Sequence, residues 1–247
     1  MSLEKLNAAL DECSRRGIKA DLWLRDDDAV EPTPALDTLL DLCADFSVPV
    51  TLAVIPEKTT EKLARHLEAS HIAKVAVHGW SHTNYASEKE KKQELGSHRE
   101  AAVVLDELQS GLEKLHDLHG SRFVPMLVPP WNRIDAGIVE RLAGLGYRAL
   151  SVFGPEKPSL PPRLNTHVDV IDWHGSRGGR DADVLFAETA ARILSAAESG
   201  ATTGILAHHL VHDGAVWDFL RRLFEVTCGH PAARWRSSKD LIDDLSP

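Results

Sequence analysis

Cysteine is scarce: Cys13, Cys43 and Cys228 are the only three in 247 residues, and no Cys-x-x-Cys occurs. An odd, scattered set argues against a disulfide framework and a cysteine zinc site, and it favours a reducing compartment. Long apolar runs are missing too, and none reaches the length of a membrane span. The opening Ser2-Leu3-Glu4-Lys5-Leu6-Asn7 is polar and helix-like, without the apolar core of a signal peptide. A cytoplasmic location is the expectation. Positive charge is in deficit, 28 Lys and Arg against 37 Asp and Glu, for a net charge of −9. That balance argues against nucleic acid or an anionic membrane as the main partner. No Gly-x-Gly-x-x-Gly follows the first strand-like run and no phosphate-binding loop occurs, which argues against a dinucleotide-binding open sheet. No short repeat, low-complexity tract or composition break appears, so one domain over residues 1–247 is expected. Oligomeric state is not readable.

What is present is an alternation of elements. Strand-like runs fall at 20–24, 48–55, 73–77, 123–128, 147–152, 167–171 and 203–207. Helical spacing occupies 34–46, 59–69, 97–118, 135–145, 182–198, 213–226 and 237–245. Thr33 before Pro34 suits a helix N-cap, and Gly120 and Gly146 suit helix stops. The Pro-rich stretch 154–162 reads as a loop. Strands alternating with helices imply parallel strands under covering helices. A near-continuous apolar run such as 48–55 suits a strand buried on both faces. An α/β fold, an incomplete or distorted barrel, is expected.

In such barrels the site lies at the C-terminal strand ends. The first strand runs into Arg25-Asp26-Asp27-Asp28 and the third into His78-Gly79-Trp80-Ser81-His82. The fourth runs into Pro129-Pro130-Trp131-Asn132-Arg133, the sixth into Asp172-Trp173-His174 and the seventh into His208-His209. Strand bodies are mostly apolar, so the reactive groups are sorted to one end. Two imidazoles four residues apart suit one divalent metal, and two histidines with one carboxylate leave positions open, which is the catalytic pattern. A second carboxylate can take a proton from water and a further histidine can protonate a leaving group. The parts describe a metal hydrolase.

These motifs resemble those of the polysaccharide deacetylases, carbohydrate esterase family four, also called the NodB homology domain. The resemblance spans about Ala20 to Asp213. Arg25-Asp26-Asp27-Asp28-Ala29 resembles the family's Thr-Phe-Asp-Asp-Gly, and His78-Gly79-Trp80-Ser81-His82 resembles His-Ser/Thr-x-x-His. Pro129-Pro130-Trp131 resembles Arg-x-Pro-Tyr, 169–173 resembles the Asp-Trp motif, and Leu206-Ala207-His208 resembles Leu-x-His. The resemblance implies a distorted (β/α)7 barrel. It implies Asp28, His78 and His82 as metal ligands, Asp27 as general base, His208 as general acid and Asp172 as the group that orients His208. The backbone N–H of Trp131 would help stabilise the oxyanion. Trp80, Trp131 and Trp173 suit sugar stacking or simple core packing, and Arg25, Asn132 and Arg133 stand beside the motifs. One divalent ion is implied, zinc first, with cobalt, nickel or manganese able to replace it.

Three departures mark this chain. Val128 stands where the family has an arginine that partners the base, and Arg25 or Arg133 is the candidate replacement. Trp131 replaces a tyrosine. Three aspartates leave the register among Asp26, Asp27 and Asp28 open. Neighbours in a regular strand face opposite ways, so Asp27 and Asp28 act together only if the strand ends or bulges there. His209 and His212 compete with His208, and Asp169 competes with Asp172. In a plainer reading, the aspartate run is a solvated strand end and the His78–His82 pair is structural. The run 88–92 reads as a solvated face or a lid, and His66, His71, His98, His116, His119 and His230 as surface or helix residues. The function that emerges is removal of acetyl from an N-acetylated sugar or related amide. The substrate would be a small molecule or an oligosaccharide. The alternatives are hydrolysis of another C–N bond, such as that of a small cyclic amide, and a degenerate sugar-binding domain.

Overall fold

The computed structural model describes residues 2–245. The elements run α1 (Ser2–Arg15), β1 (Ala20–Ala29), α2 (Pro34–Asp45), β2 (Val50–Val54), α3 (Glu61–His66), β3 (Ala73–His78), α4 (Ala101–His119) and β4 (Phe123–Val128). They continue α5 (Ala136–Val139), β5 (Ala149–Leu150), β6 (Val168–Asp169), α6 (Ala182–Ser199), β7 (Thr203–Ala207), α7 (Gly214–Gly229), β8 (Ala233–Trp235) and α8 (Ser238–Leu245). The strand order is β5-β4-β3-β2-β1-β7-β6, with β8 on β1. The β1·β7, β1·β8, β3·β4, β4·β5 and β6·β7 ladders are parallel. All seven expected strands form, in an α/β order, and β8 is an addition.

The chain falls into two compact units. The first comprises Met1–Asp26, Thr33–Val50 and Thr166–Ser237. In it α1 packs along α6, burying Leu6 and Leu10, and Phe186 meets Phe219 with ring centres 4.9 Å apart. Its helices start as their caps dictate. The Thr33 hydroxyl accepts from Leu36 N–H (3.1 Å) ahead of Pro34, and Asp181 and Asp213 accept from Val184 (3.0 Å) and Val216 (3.1 Å). The β1·β7 register sets Asp26 beside Ala207, which brings Asp26 level with the two histidines that follow.

The second unit comprises Asp27–Pro32, Thr51–Asn165 and Ser238–Pro247. Here α4 covers β3 and β4, and the strand residues Val75, Val77, Met126 and Leu127 are fully buried. Tyr147 donates its hydroxyl to the Leu108 carbonyl (2.8 Å). The β3·β4 ladder shifts register between Val75 and Val77 and then pairs His78 with Val128. The helix expected over 97–118 begins only at Ala101, because Glu100 before it has an extended ψ of 128. The helix expected over 135–145 shortens to Ala136–Val139 and a 3₁₀ turn at Ala143–Leu145.

Candidate metal centre and its surroundings

In the second unit, β1 and β3 bring three donors together. Asp28 Oδ1 lies 3.1 Å from His78 Nε2 and 3.3 Å from His82 Nε2, and one ligand atom from each residue lies within 4.8 Å of the other two. Three donors about 2.0–2.1 Å from a tetrahedral ion stand roughly 3.3 Å apart, so the spacing fits a divalent metal. His78 Nδ1 faces the Val128 carbonyl at 2.9 Å. That bond requires the proton on Nδ1 and turns Nε2, with its lone pair, toward Asp28 and His82; metal-binding histidines are commonly oriented this way. Burial opposes a charge on His78, but Asp28 and Asp27 outweigh it and raise its pKa. Burial, and then His78, push His82 down to about 4. A cation at this point is therefore favoured electrostatically, and His82 is neutral to receive it.

The backbone bends to allow this. Asp28 sits at φ 71, inside β1. A left-handed residue breaks the strand's alternation, so Asp27 and Asp28 are freed from pointing to opposite faces. Asp27 is buried, 2 % exposed. His82 (φ 58), Trp131 (φ 54) and Asn132 (φ 57) are left-handed as well. Such conformations cost about 1–2 kcal/mol each in ordinary residues and cluster at functional sites. The Trp131 ring lies against His82, centres 4.3 Å apart.

Glu94 is a residue that sequence reasoning missed. It is 1 % exposed. Its carboxylate accepts from Ser81 N–H (2.7 Å), Ser81 O–H (3.0 Å), His82 N–H (3.1 Å) and Trp80 N–H (3.3 Å). Glu94 thus ties down the loop that carries His82. Gly79 (φ +60) makes room for it: a Cβ there would meet Glu94 Oε2 at 2.1 Å and Pro130 Cγ at 2.6 Å. Only an acid twelve residues past His82, in an otherwise polar stretch, hinted at this.

The remaining site residues occupy the first unit or other surfaces. Asp26 does not join the metal trio. It accepts from His209 N–H (2.8 Å) and pairs with His209 Nδ1, and both side chains are fully buried. His209 is thereby withdrawn, and His208 meets the edge of Trp173, ring centres 4.7 Å apart. Trp173 donates its indole N–H to Asp169 (2.9 Å). Asp172 departs from the expected pairing with His208. Its carboxylate accepts from Gly175 N–H (3.0 Å) and Ser176 N–H (3.2 Å), because β6 ends at Asp169 and the chain turns immediately afterward. His212 accepts from His208 N–H (3.3 Å), and burial lowers its pKa to about 4. Arg25 is completely buried within β1, while Arg133 is committed to the Lys92 carbonyl (2.8 Å).

A family model described as polysaccharide deacetylase matches residues 18–150. No curated protein matches the chain. A solved Mycobacterium smegmatis protein assigned to the polysaccharide deacetylases is similar at 14% identity, over 93% of this chain and 91% of its own, with a TM-score of 0.70. A Streptomyces lividans family 4 carbohydrate esterase in complex with acetate is similar at 15% identity, over 87% of this chain and 91% of its own, with a TM-score of 0.58. A Clostridium thermocellum family 4 acetyl xylan esterase in complex with a cobalt ion is similar at 14% identity, over 90% of each chain, with a TM-score of 0.54. At such identities the solved structures establish the fold alone. The family match covers more than half of the sequence, and on that ground the chain belongs to the polysaccharide deacetylase family.

Proposed function

We propose that this chain is a metal-dependent hydrolase that removes acetyl from an N-acetylated sugar or a related amide. The observation that carries the reading is the convergence of Asp28, His78 and His82, with the buried Asp27 next to them in sequence. Zinc suits the two-imidazole, one-carboxylate donor set, and cobalt, nickel or manganese are alternatives. The cobalt-bound acetyl xylan esterase among the similar structures supports a divalent ion. Such an ion supplies Lewis acidity to the acyl oxygen and to water.

Asp27 acts as the base that takes a proton from the attacking water. The Trp131 N–H is the candidate donor to the acyl oxygen, and the left-handed backbone at Trp131 fits a fixed orientation of that group. His208 gives a proton to the amine nitrogen as the acyl–nitrogen bond breaks, releasing acetate and free amine. Trp173, held by Asp169, orients the His208 ring in the role first expected of Asp172. Arg25 is the candidate partner of Asp27. It precedes Asp27 by two residues in β1, so the two share a face. Trp80 remains a candidate for stacking on a sugar.

Acetate release tests the reading. Metal-free protein is reloaded with zinc, cobalt or manganese and assayed on acetylated amino sugars and on small cyclic amides. Metal-dependent release from the amino sugars is expected. Turnover restricted to the cyclic amides would move the assignment to another C–N hydrolase, and no turnover with a full complement of metal would favour a binding domain.

A further inference from the structure

The second unit, which carries the candidate metal centre, also holds a cavity of about 570 Å³, within the range of small-molecule sites. Its wall includes Asn132 and Arg133, the residues directly after the Trp131 that packs on His82. Its charge runs against that of the chain. The whole sequence carries −9, yet Lys91, Arg133 and Arg163 line this cavity against one carboxylate, Glu90. Glu90 is occupied: it accepts from Ser87 O–H (2.7 Å) and lies 3.5 Å from His98.

The two guanidiniums are held but not used up. Arg133 is fixed through Nη1 on the Lys92 carbonyl (2.8 Å), and Arg163 through Nε on the Ser159 hydroxyl (3.2 Å). A guanidinium has five N–H donors in a planar fork, so most of each fork remains for a ligand. Ile134 and Val152 are the apolar wall residues. Planar forks favour carboxylate and phosphate oxygens, which accept two parallel bonds.

We infer that this cavity is an oxyanion subsite, so that the preferred substrate carries a phosphate or carboxylate in addition to its acetamido group. The inference rests on the deacetylase reading for the identity of the reacting group, but binding can be measured without turnover. Metal-free protein is titrated calorimetrically with N-acetylglucosamine, its 6-phosphate and N-acetylmuramic acid. At least one anionic sugar is expected to bind about tenfold tighter than the neutral one, the worth of one charged hydrogen bond. The tighter of the two identifies the anion. Arg163→Gln is expected to erase the preference and Arg163→Lys to retain part of it, with folding checked by circular dichroism. Equal affinities for all three sugars, or a preference that survives Arg163→Gln, would overturn the subsite. Acetate release from the metal-loaded protein is scored separately. Its absence beside an intact binding preference would count against the deacetylase reading and not against the subsite.

Discussion

At Asp28 one left-handed residue groups Asp28 with the two histidines and leaves Asp26 apart. The sequence offered three in a row, and simple alternation would have paired Asp26 with Asp28. The turn at φ 71 instead sends Asp28 to the two histidines, while Asp26 goes to His209. This was half legible: the need for a break between Asp27 and Asp28 followed from strand geometry, but its position did not. Asp172 was less legible. Two aspartates three apart fit the same motif, and only the end of β6 decides that Asp172 caps a turn while Asp169 holds Trp173. On the proposed roles, Asp27→Asn would remove the base without removing a ligand. It should keep its metal and lose about 10²–10⁴-fold in kcat, the usual range for a general base. Steady-state kinetics on metal-analysed protein decides this, and unchanged kcat would move the base elsewhere.

At the scale of the element, the loop after β3 is the decisive piece. The His78 position was readable because a buried strand ends there. The loop's anchor was not, since Glu94 belongs to a segment with no periodicity and meets Trp80, Ser81 and His82 only through folding. Glu94→Gln keeps the size but replaces a charge and one acceptor oxygen by an amide. Metal affinity should fall roughly 10–100-fold, as for other partners that orient ligands. Competition with a chromogenic chelator measures this, and an unchanged dissociation constant would mean that the loop holds His82 without its buried anion. The strand β8 was illegible for another reason. Ala233-Arg234-Trp235 is too short to carry a pattern, and it is a strand because its backbone pairs with Ala20–Leu22.

Over the whole molecule, the seven strand positions and the sorting of reactive groups to strand ends were legible, because parallel strands buried on both faces write long apolar runs. Burial of individual histidines was not. His119, expected to be a surface or helix residue, ends α4 but is only 2 % exposed. Burial, and then Arg122, lower its pKa to about 4, and burial lowers that of His212 likewise. These groups bind protons near 6.5 when unfolded and only near 4 when folded. As pH falls from about 6.5 to about 4, the unfolded chain takes up more protons and stability should decline. Urea titrations across this window check it, and His119→Gln should flatten part of the slope. No helix among the described residues is long and apolar enough to cross a membrane.

If Asp28, His78 and His82 hold one metal ion that the chemistry needs, metal and activity must be lost together. Elemental analysis of wild-type and His78→Ala protein, after identical zinc loading and desalting, tests it most directly. One equivalent of zinc is expected in the wild type, next to none in His78→Ala, and loss of acetate release in step with the metal. A full equivalent of zinc retained by His78→Ala would contradict it.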